Sequence, residues 1–388
     1  MAAVLLFLGF VIGVSFAGPE AGFFGLIIAA AIWLILTLIS FAGGDQILLA
    51  SSNAVPITHD VHPQLFNIVE EMKIAAALPA MPKIYIINDP APNAFATGRN
   101  PQSASIAVTA GLLGKLNRDE LQGVIAHEIS HIFHRDILFV TLAGIMLGSI
   151  VLLSRVFLRG MYYGGGSRRR YSSGGRGGGQ GAIVIVIIAL IAAILAPIMA
   201  QLLYFALSRK REYLADAGAA RLTRYPEGLA SALEKIAYDN SPQLASANKV
   251  TAPMYIANPL KKDGLALSNL TSTHPPIEER IKILRNIAHS PSFSEYAKAY
   301  TQVTGTKSII PPSALKAEQQ VSFRSPSPET AKQKVEKQAH QVADIIRKVN
   351  GFLFLPCACG LVLKIPPNFS RPNVNCPRCN RNLTVPQK

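Results

Sequence analysis

Cysteine is absent from the first 356 residues, and charged residues of either sign are scarce throughout. A secreted scaffold held by disulfides would spread its cysteines along the chain, so that class of protein is excluded. Only 16% of the 388 residues are charged and 49% are apolar. This balance excludes a disordered chain, a collagen-like fibre and an ordinary soluble enzyme, and it indicates membrane segments.

Basic residues are concentrated in two segments. Residues 301–388 hold thirteen Lys or Arg against four Asp or Glu, and residues 155–176 hold six arginines and no acid. Together these segments account for the whole formal net charge of +15. A nucleic-acid-binding domain would need a broad basic face, which this distribution of charge does not provide. We therefore expect no nucleic acid partner for the part of the chain outside these two segments.

Apolar residues form four long stretches: Met1–Phe16, Ala21–Ala42, Ile137–Leu153 and Ala182–Leu207. About 20 apolar residues cross a bilayer, so the second and fourth stretches are long enough and the other two are short. The first could instead be a signal peptide, but no basic residue precedes it and a second apolar stretch follows almost at once. The sequence thus predicts two membrane hairpins in contact with a lipid bilayer.

Between the hairpins the pattern is that of a soluble domain. Helical spacing after an N-terminal proline predicts a helix over Pro63–Leu78. Two runs rich in β-branched residues, Lys83–Ile87 and Ser103–Thr109, predict a small sheet. Asn117, with a glutamate three residues later, predicts a capped helix that continues through His131 towards the third apolar stretch as one unbroken helix.

Low-complexity segments separate the other parts. Gly164–Gly181 is too rich in glycine and arginine to bury a core and predicts a loop at anionic lipid headgroups, with RNA binding as the alternative. The Pro, Ser and Thr content of Thr306–Pro328 predicts a linker, and Ala331–Val349 a polar helix after it.

The strongest catalytic signal is His127-Glu128-Ile129-Ser130-His131. Residues four apart share one helix face, so the two imidazoles can converge on a Zn²⁺ ion while Glu128 serves as general base. Polar residues interrupt an apolar stripe here, where a purely structural helix would place aliphatic side chains. Two capped or solvated histidines are the alternative interpretation.

A catalytic zinc ion needs a third protein ligand. Glu212 and Asp216 are also four residues apart on a predicted helix, so one could ligate while the other orients a ligand histidine. The residues alone leave open a surface helix end with no such role.

These segments resemble the HtpX family of membrane zinc metalloproteases, relatives of the CAAX prenyl proteases within the gluzincins. The resemblance covers about residues 1–290 and rests on these matching segments: 127–131, Asn93–Gly98, Ser208–Asp216 and Thr273–Pro276 with Glu279 and Arg280. It implies a mainly α integral-membrane protein that contains an α+β zincin-type catalytic domain.

The resemblance also assigns roles to individual residues. It implies that Glu212 is the third zinc ligand and that Asp216 supports the site. It places the segment containing Asn93, Ala94, Phe95 and Ala96 as an edge strand that binds substrate, and it suggests that His274 stabilises the oxyanion.

The predicted activity is that of a zinc endopeptidase that degrades misfolded or damaged membrane proteins, the quality-control role being implied by the resemblance. A substrate bound as an extended strand would be read mainly through its backbone. The alternatives are a non-catalytic membrane scaffold that recruits a partner through its basic tail, and a protease that processes prenylated C-termini.

The four cysteines form a separate signal at the C-terminus. Cys357 and Cys359 form one pair and Cys376 and Cys379 another, with sixteen residues between the two pairs. The two pairs resemble the knuckles of a small β zinc ribbon, in which four thiolates hold a structural Zn²⁺ ion. Four free cysteines are the alternative, and the sequence does not identify the ribbon's partner.

These observations divide the chain into 1–43 (first membrane hairpin), 44–136 (first part of the catalytic domain), 137–207 (second hairpin), 208–300 (second part of the catalytic domain), 301–350 (linker and polar helix) and 351–388 (ribbon). Reduced cysteines and the family resemblance predict a protein of the bacterial inner membrane whose catalytic domain lies on the cytoplasmic face. The arginine-rich loop would then lie outside, against the positive-inside tendency, unless the third apolar stretch does not cross or the orientation is inverted.

Overall fold

The computed structural model describes residues 2–18, 20–163, 179–239, 255–257, 274–307, 309–312, 315, 321–327 and 336–386. The helices are α1 (Ala2–Ala17), α2 (Ala21–Ser51), α3 (Pro63–Ala75), α4 (Ala110–Lys115), α5 (Arg118–Phe133), α6 (Asp136–Tyr163), α7 (Gly179–Thr223), α8 (Pro226–Ala237), α9 (Ile277–Arg285), α10 (Phe293–Thr304) and α11 (Glu336–Val349). The strands are β1 (Ala54–Pro56), β2 (Lys83–Ile87), β3 (Ala94–Thr97), β4 (Ser105–Thr109), β5 (Leu353–Pro356), β6 (Val362–Ile365), β7 (Asn373–Asn375) and β8 (Asn382–Thr384).

Two segments among the described residues are long and apolar enough to cross a membrane. The first, Ala21–Ile39, lies in α2 and is only 11% buried. The second, Val186–Leu203, lies in α7 and is only 28% buried. A core helix of a soluble protein would be mostly buried, so their exposed apolar surface fits contact with lipid. They coincide with the second and fourth apolar stretches, which were the two of sufficient length. Ala2–Ser15 is apolar but shorter.

The membrane helices pack against one another. Residues of α1, α6 and α7 share a buried apolar cluster that includes Leu8, Ile150 and Ala193. Helices α1 and α2 approach closely because Gly9 faces Gly25, where an added Cβ atom would lie 2.2 Å from the Gly9 carbonyl oxygen. Small residues allow this kind of close backbone packing between membrane helices.

The soluble part contains a four-stranded sheet in the order β1-β2-β4-β3. Strands β2 and β4 are parallel, whereas β3 pairs antiparallel with β4 and lies at the edge. Helix α3 packs its buried face (Leu65, Ile68, Val69, Met72) into the main core, as its spacing predicted. The sheet and this helix form one side of the core on which α5 lies.

Helix α5 begins at the predicted capping box, in which Asn117 and Glu120 satisfy each other's backbone N–H groups. The prediction that this helix continues unbroken into the third apolar stretch is wrong. Helix α5 ends at Phe133, Arg135 has a φ of +58°, and α6 starts anew at Asp136. Unbroken continuity is found in α7, a 45-residue helix that contains both the fourth apolar stretch and the Ser208–Asp216 segment.

The C-terminal part is folded against the rest of the chain. Helix α11 is described from Glu336, and residues 331–335 of the predicted helix lie outside the described part of the chain. Ile345 of this helix lies in the main core, so the helix is amphipathic rather than simply polar. The predicted linker does not hold for residues 321–327, which lie against α5 and the end of α7. Of the predicted Gly/Arg-rich loop, residues 164–178 lie outside the described part of the chain and residues 179–181 begin α7.

Candidate metal centre

Helices α5 and α7 bring three ligand side chains to one point. The Nε2 atoms of His127 and His131 are 3.2 Å apart, and the carboxylate of Glu212 lies 3.4 Å from the second ring and 3.7 Å from the first. Donors 2.0–2.1 Å from a tetrahedral zinc ion stand about 3.4 Å from one another. The three side chains therefore fit a zinc ion, and they are those that the motif and the family resemblance proposed as ligands.

Each ligand histidine has a carboxylate at its other ring nitrogen. The Nδ1 atom of His127 lies 2.9 Å from Asp216, and that of His131 lies 3.0 Å from Asp136. Such contacts fix the ring orientation and leave Nε2 to face the metal. Asp216 was expected in this role, but Asp136 was missed, since it lies at the first turn of α6 where it reads as an ordinary helix-start residue.

Arg280 on α9 links both carboxylates of α7. Its guanidinium donates two hydrogen bonds to Asp216, at 2.7 and 2.8 Å, and lies 3.3 Å from Glu212. It also donates to the Ile256 carbonyl at 2.9 Å. Because Arg280 is 0% exposed, its charge depends on these acceptors. The family resemblance included Arg280 among its matching residues but implied no role for it.

Glu128 lies beside the ligand cluster with its side chain buried. The backbone N–H of Ala96 donates to its carboxylate, while the Oε1 atom has no hydrogen-bond partner among the described residues. Burial raises the pKa of Glu128 to about 8, with the charge of Glu212 adding to the effect. One carboxylate oxygen is thus held by the backbone, and the other makes no hydrogen bond to a described residue, which leaves it free to contact a water molecule.

The charges of the site compensate one another. Burial lowers the pKa of His127 and thereby favours its neutral ring. Burial acts in the same direction on His131, but hydrogen bonds to Asp136 and Glu212 outweigh it and raise the pKa of this ring to about 10. The pKa of Glu212 lies well below its usual value despite burial, because His274, His131 and Arg280 favour the carboxylate. A metal ion at this point would replace the proton on His131.

His274 contacts the ligand set directly. Its Nδ1 atom lies 3.1 Å from the Glu212 carboxylate, and its side chain is only 4% exposed. The structure therefore places this histidine at the site, as the family pattern suggested. His134 does not join it, since its ring lies against the Ser130 carbonyl one turn earlier on α5.

The edge strand β3 is in the expected place, but its first residues already have partners within the chain. The Ala94 carbonyl accepts a hydrogen bond from the Ile256 N–H at 2.9 Å, and the Asn93 side chain donates to the Ala257 carbonyl at 3.0 Å. Phe95 is buried edge-on against Tyr255. The structure does not present Asn93, Ala94 and Phe95 at an open edge, and leaves Ala96 as the residue beside Glu128.

The four cysteines form a second cluster, in two short hairpins. Their sulfur atoms lie within 4.8 Å of one another, with Cys357 and Cys379 3.5 Å apart and Cys359 and Cys376 3.6 Å apart. Backbone hydrogen bonds from residues 378 and 379 outweigh desolvation and lower the pKa of Cys376 to about 6, which favours the thiolate that a metal requires. This arrangement fits four sulfur ligands around one ion.

The geometry of His127, His131 and Glu212 indicates a class of protein. Three side chains that fit a zinc ion, with a buried carboxylate beside them and the glutamate on a helix continuous with a long apolar segment, are the arrangement expected of a membrane zinc metalloprotease. The model of peptidase family M48 matches residues 60–288. The chain belongs to that family.

Curated relatives extend the match beyond the catalytic residues. The protease HtpX homologue of Dictyoglomus turgidum is 52% identical over 266 residues, which cover 69% of this chain and 83% of the relative. The homologue of Dictyoglomus thermophilum is 49% identical over 283 residues, 73% of this chain and 88% of the relative. The crystal structure of S. mikatae Ste24p covers 65% of this chain and 58% of that one at 21% identity, with a TM-score of 0.37. No conclusion about this chain follows from so partial an overlap.

Proposed function

We propose that this membrane zinc metalloprotease is an endopeptidase of zincin type that degrades misfolded or damaged membrane proteins. The observation that carries the proposal is the convergence of His127, His131 and Glu212 with the unpartnered oxygen of Glu128 beside them. The quality-control role is supported by similarity to the HtpX homologues. Exposed apolar helix surface supports membrane proteins as the substrate class.

The chain's own residues divide the work of peptide hydrolysis. A zinc ion, when bound, supplies a Lewis acid that lowers the pKa of water and polarises the scissile carbonyl. Glu128 accepts the proton of the attacking water and passes it to the leaving amine. His274, next to Glu212, is proposed to stabilise the negative charge that develops on the carbonyl oxygen. Asp216 and Asp136 hold the two ligand imidazoles in orientation.

We propose that substrate pairs with β3 near Ala96, in extended form. Residues alternate in direction along an antiparallel strand, so Ala94 and Ala96 present their backbone groups on the side away from β4. Ile256 already occupies the edge at Ala94, and the Ala96 N–H donates to Glu128, so the backbone group proposed to pair with substrate is the Ala96 carbonyl. Recognition through the backbone would give broad sequence specificity.

The remaining parts of the proposal concern the ribbon and the orientation. The four-sulfur cluster is proposed to hold a structural Zn²⁺ ion that leaves no position for water. The protein is proposed to be multi-pass in a bacterial inner membrane, with its catalytic domain on the cytoplasmic face, where thiolates stay reduced. The partner of the ribbon and the oligomeric state are not assigned.

A single substitution tests the enzymatic proposal. Metal-loaded protein in detergent should cleave an unfolded polypeptide, and Glu128→Gln should reduce this activity by at least about 10²-fold because the general base is lost. The matched control is Glu227→Gln, which alters an exposed glutamate of α8. Zinc content should be unchanged in both variants. Equal activity of Glu128→Gln and the unaltered protein would refute the enzymatic function.

The two alternatives have less support. A scaffold without catalysis has no need of a buried glutamate beside a complete ligand set. Processing of prenylated C-termini would require the lipid, so a comparison of prenylated and unmodified peptides separates it from general proteolysis. Equal cleavage of both favours the endopeptidase.

A further inference from the structure

The segment Val321–Ser327, which we call the strap, lies on a polar surface of the catalytic domain. That surface, the strap site, consists of Asp119 and Gln122 on the first turns of α5 and of Thr223 and Arg224 at the C-terminal end of α7. The strap lies within the predicted linker Thr306–Pro328, yet two of its residues make several hydrogen bonds to this surface. The strap site and its ligand belong to regions that the metal centre does not use.

Arg324 makes the central contacts. Its guanidinium donates to Asp119 at 2.7 Å, to Gln122 at 2.9 Å and to the Thr223 carbonyl at 3.3 Å. Its backbone N–H donates to the Arg224 carbonyl at 2.9 Å. One residue thus bridges the start of α5 and the end of α7.

Ser327 completes the recognition of the same carboxylate. Its backbone N–H and its hydroxyl each donate to Asp119 at 2.7 Å. The side chain of Asp119 is 1% exposed, and that of Arg324 is 24% exposed. The strap therefore covers a buried carboxylate and neutralises it, which a loosely attached linker would not do.

We propose that the strap site is a specific docking surface for an Arg-x-x-Ser segment and that the chain's own residues 324–327 are its occupant. With the strap bound, its hydrogen bonds link α5, which carries His127 and His131, to α7, which carries Glu212. His127 lies eight residues after Asp119, and Glu212 lies eleven residues before Thr223. The strap lies beyond the family's match at residues 60–288 and is accordingly an added part of the catalytic domain.

Trypsin cleavage of the full-length protein in detergent tests the docking. The Arg324–Ser325 bond should be protected in the unaltered protein. Asp119→Asn should raise the cleavage rate at that bond by at least about 10-fold, because the charge-assisted bonds to the strap are lost. The matched control is Asp344→Asn in α11, whose carboxylate pairs with Arg347 and with Lys364 of β6, away from the strap. Cleavage at Arg324 should not change in this variant.

A second, milder variant distinguishes loss of the strap contacts from a general loss of folding in Asp119→Asn. Ser327→Ala leaves the contacts of Arg324 with α5 and α7 in place and removes two hydrogen bonds of the Ser327 hydroxyl, the one donated to Asp119 and the one accepted from Arg324. Its cleavage rate should therefore lie between those of the unaltered protein and Asp119→Asn. Hydrogen exchange should show faster opening in the first turn of α5 in both variants, with α9 unchanged. Rapid cleavage at Arg324 in the unaltered protein, or equal rates in all variants, would overturn the proposal.

Discussion

Replacing Asp216 by alanine should separate the stability of the site from its affinity for zinc. Asp216 and Arg280 are both 0% exposed and are joined by two hydrogen bonds of 2.7 and 2.8 Å. Removing one partner of such a pair leaves a buried charge and costs about 3–5 kcal/mol. Arg280 keeps the Ile256 carbonyl and Glu212 as neighbours, so we expect a loss near 3 kcal/mol.

The same substitution should weaken zinc binding by about 10–100-fold, because His127 loses the acceptor that orients its ring. Glu212→Ala should lose the catalytic zinc ion altogether, since two imidazoles leave it under-coordinated. Asp216→Leu combined with Arg280→Met removes both charges. This double variant should recover most of the stability but not the zinc affinity.

Two measurements decide the outcome. Competition titration gives the zinc affinity of each purified variant, and hydrogen exchange of the α9 amides in metal-free protein gives the local free energy of opening. Asp344→Ala, which breaks two partly exposed ion pairs, with Arg347 and Lys364, is the control and should cost at most about 1 kcal/mol for each pair. If Asp216→Ala loses the ion and Glu212→Ala keeps it, the ligand assignment is wrong. If Asp216→Ala leaves the free energy of opening unchanged, Arg280 does not depend on this carboxylate.

Three further predictions concern other parts of the chain. Asp136→Asn should reduce zinc affinity by about 10–100-fold through His131, and an unchanged titration would contradict its orienting role. A chain ending at Val349 should bind one zinc ion where the full chain binds two and still hydrolyse a small unfolded peptide; loss of hydrolysis with the catalytic ion retained would place the ribbon in the active site. Asn117→Ala should lower the free energy of unfolding by about 1 kcal/mol through loss of the α5 cap, measurable as faster hydrogen exchange in its first turn.

The residues of the candidate metal centre could be singled out from the sequence because their geometry is local. His127 and His131 lie on one face of α5 whatever else the chain does, and the same holds for Glu212 and Asp216 on α7. The two pairs still had to be brought together by tertiary packing, and only the family resemblance indicated that they would be. The capping box of α5 is likewise a local pattern and was predicted correctly.

Contacts between distant segments could not be predicted in this way. Asp136 meets His131 because the chain turns at Arg135 with a positive φ, and no glycine marks that turn. The partner of Arg324 is 205 residues away along the chain. Its surroundings are rich in proline and serine, which is typical of linkers, so composition favoured the wrong interpretation. Strand β1 has only three residues, too few for any alternating pattern.

The continuity of α7 sets the height of the cleavage point above the bilayer. The apolar segment ends at Leu203 and the ligand Glu212 follows nine residues later on the same helix. At 1.5 Å per residue the catalytic centre stands at most about 13 Å beyond the apolar layer. An extended polypeptide covers that distance with roughly four residues. A membrane-embedded substrate would therefore have to expose a tail or loop of at least this length before it could be cut, and bonds closer to the lipid would be spared.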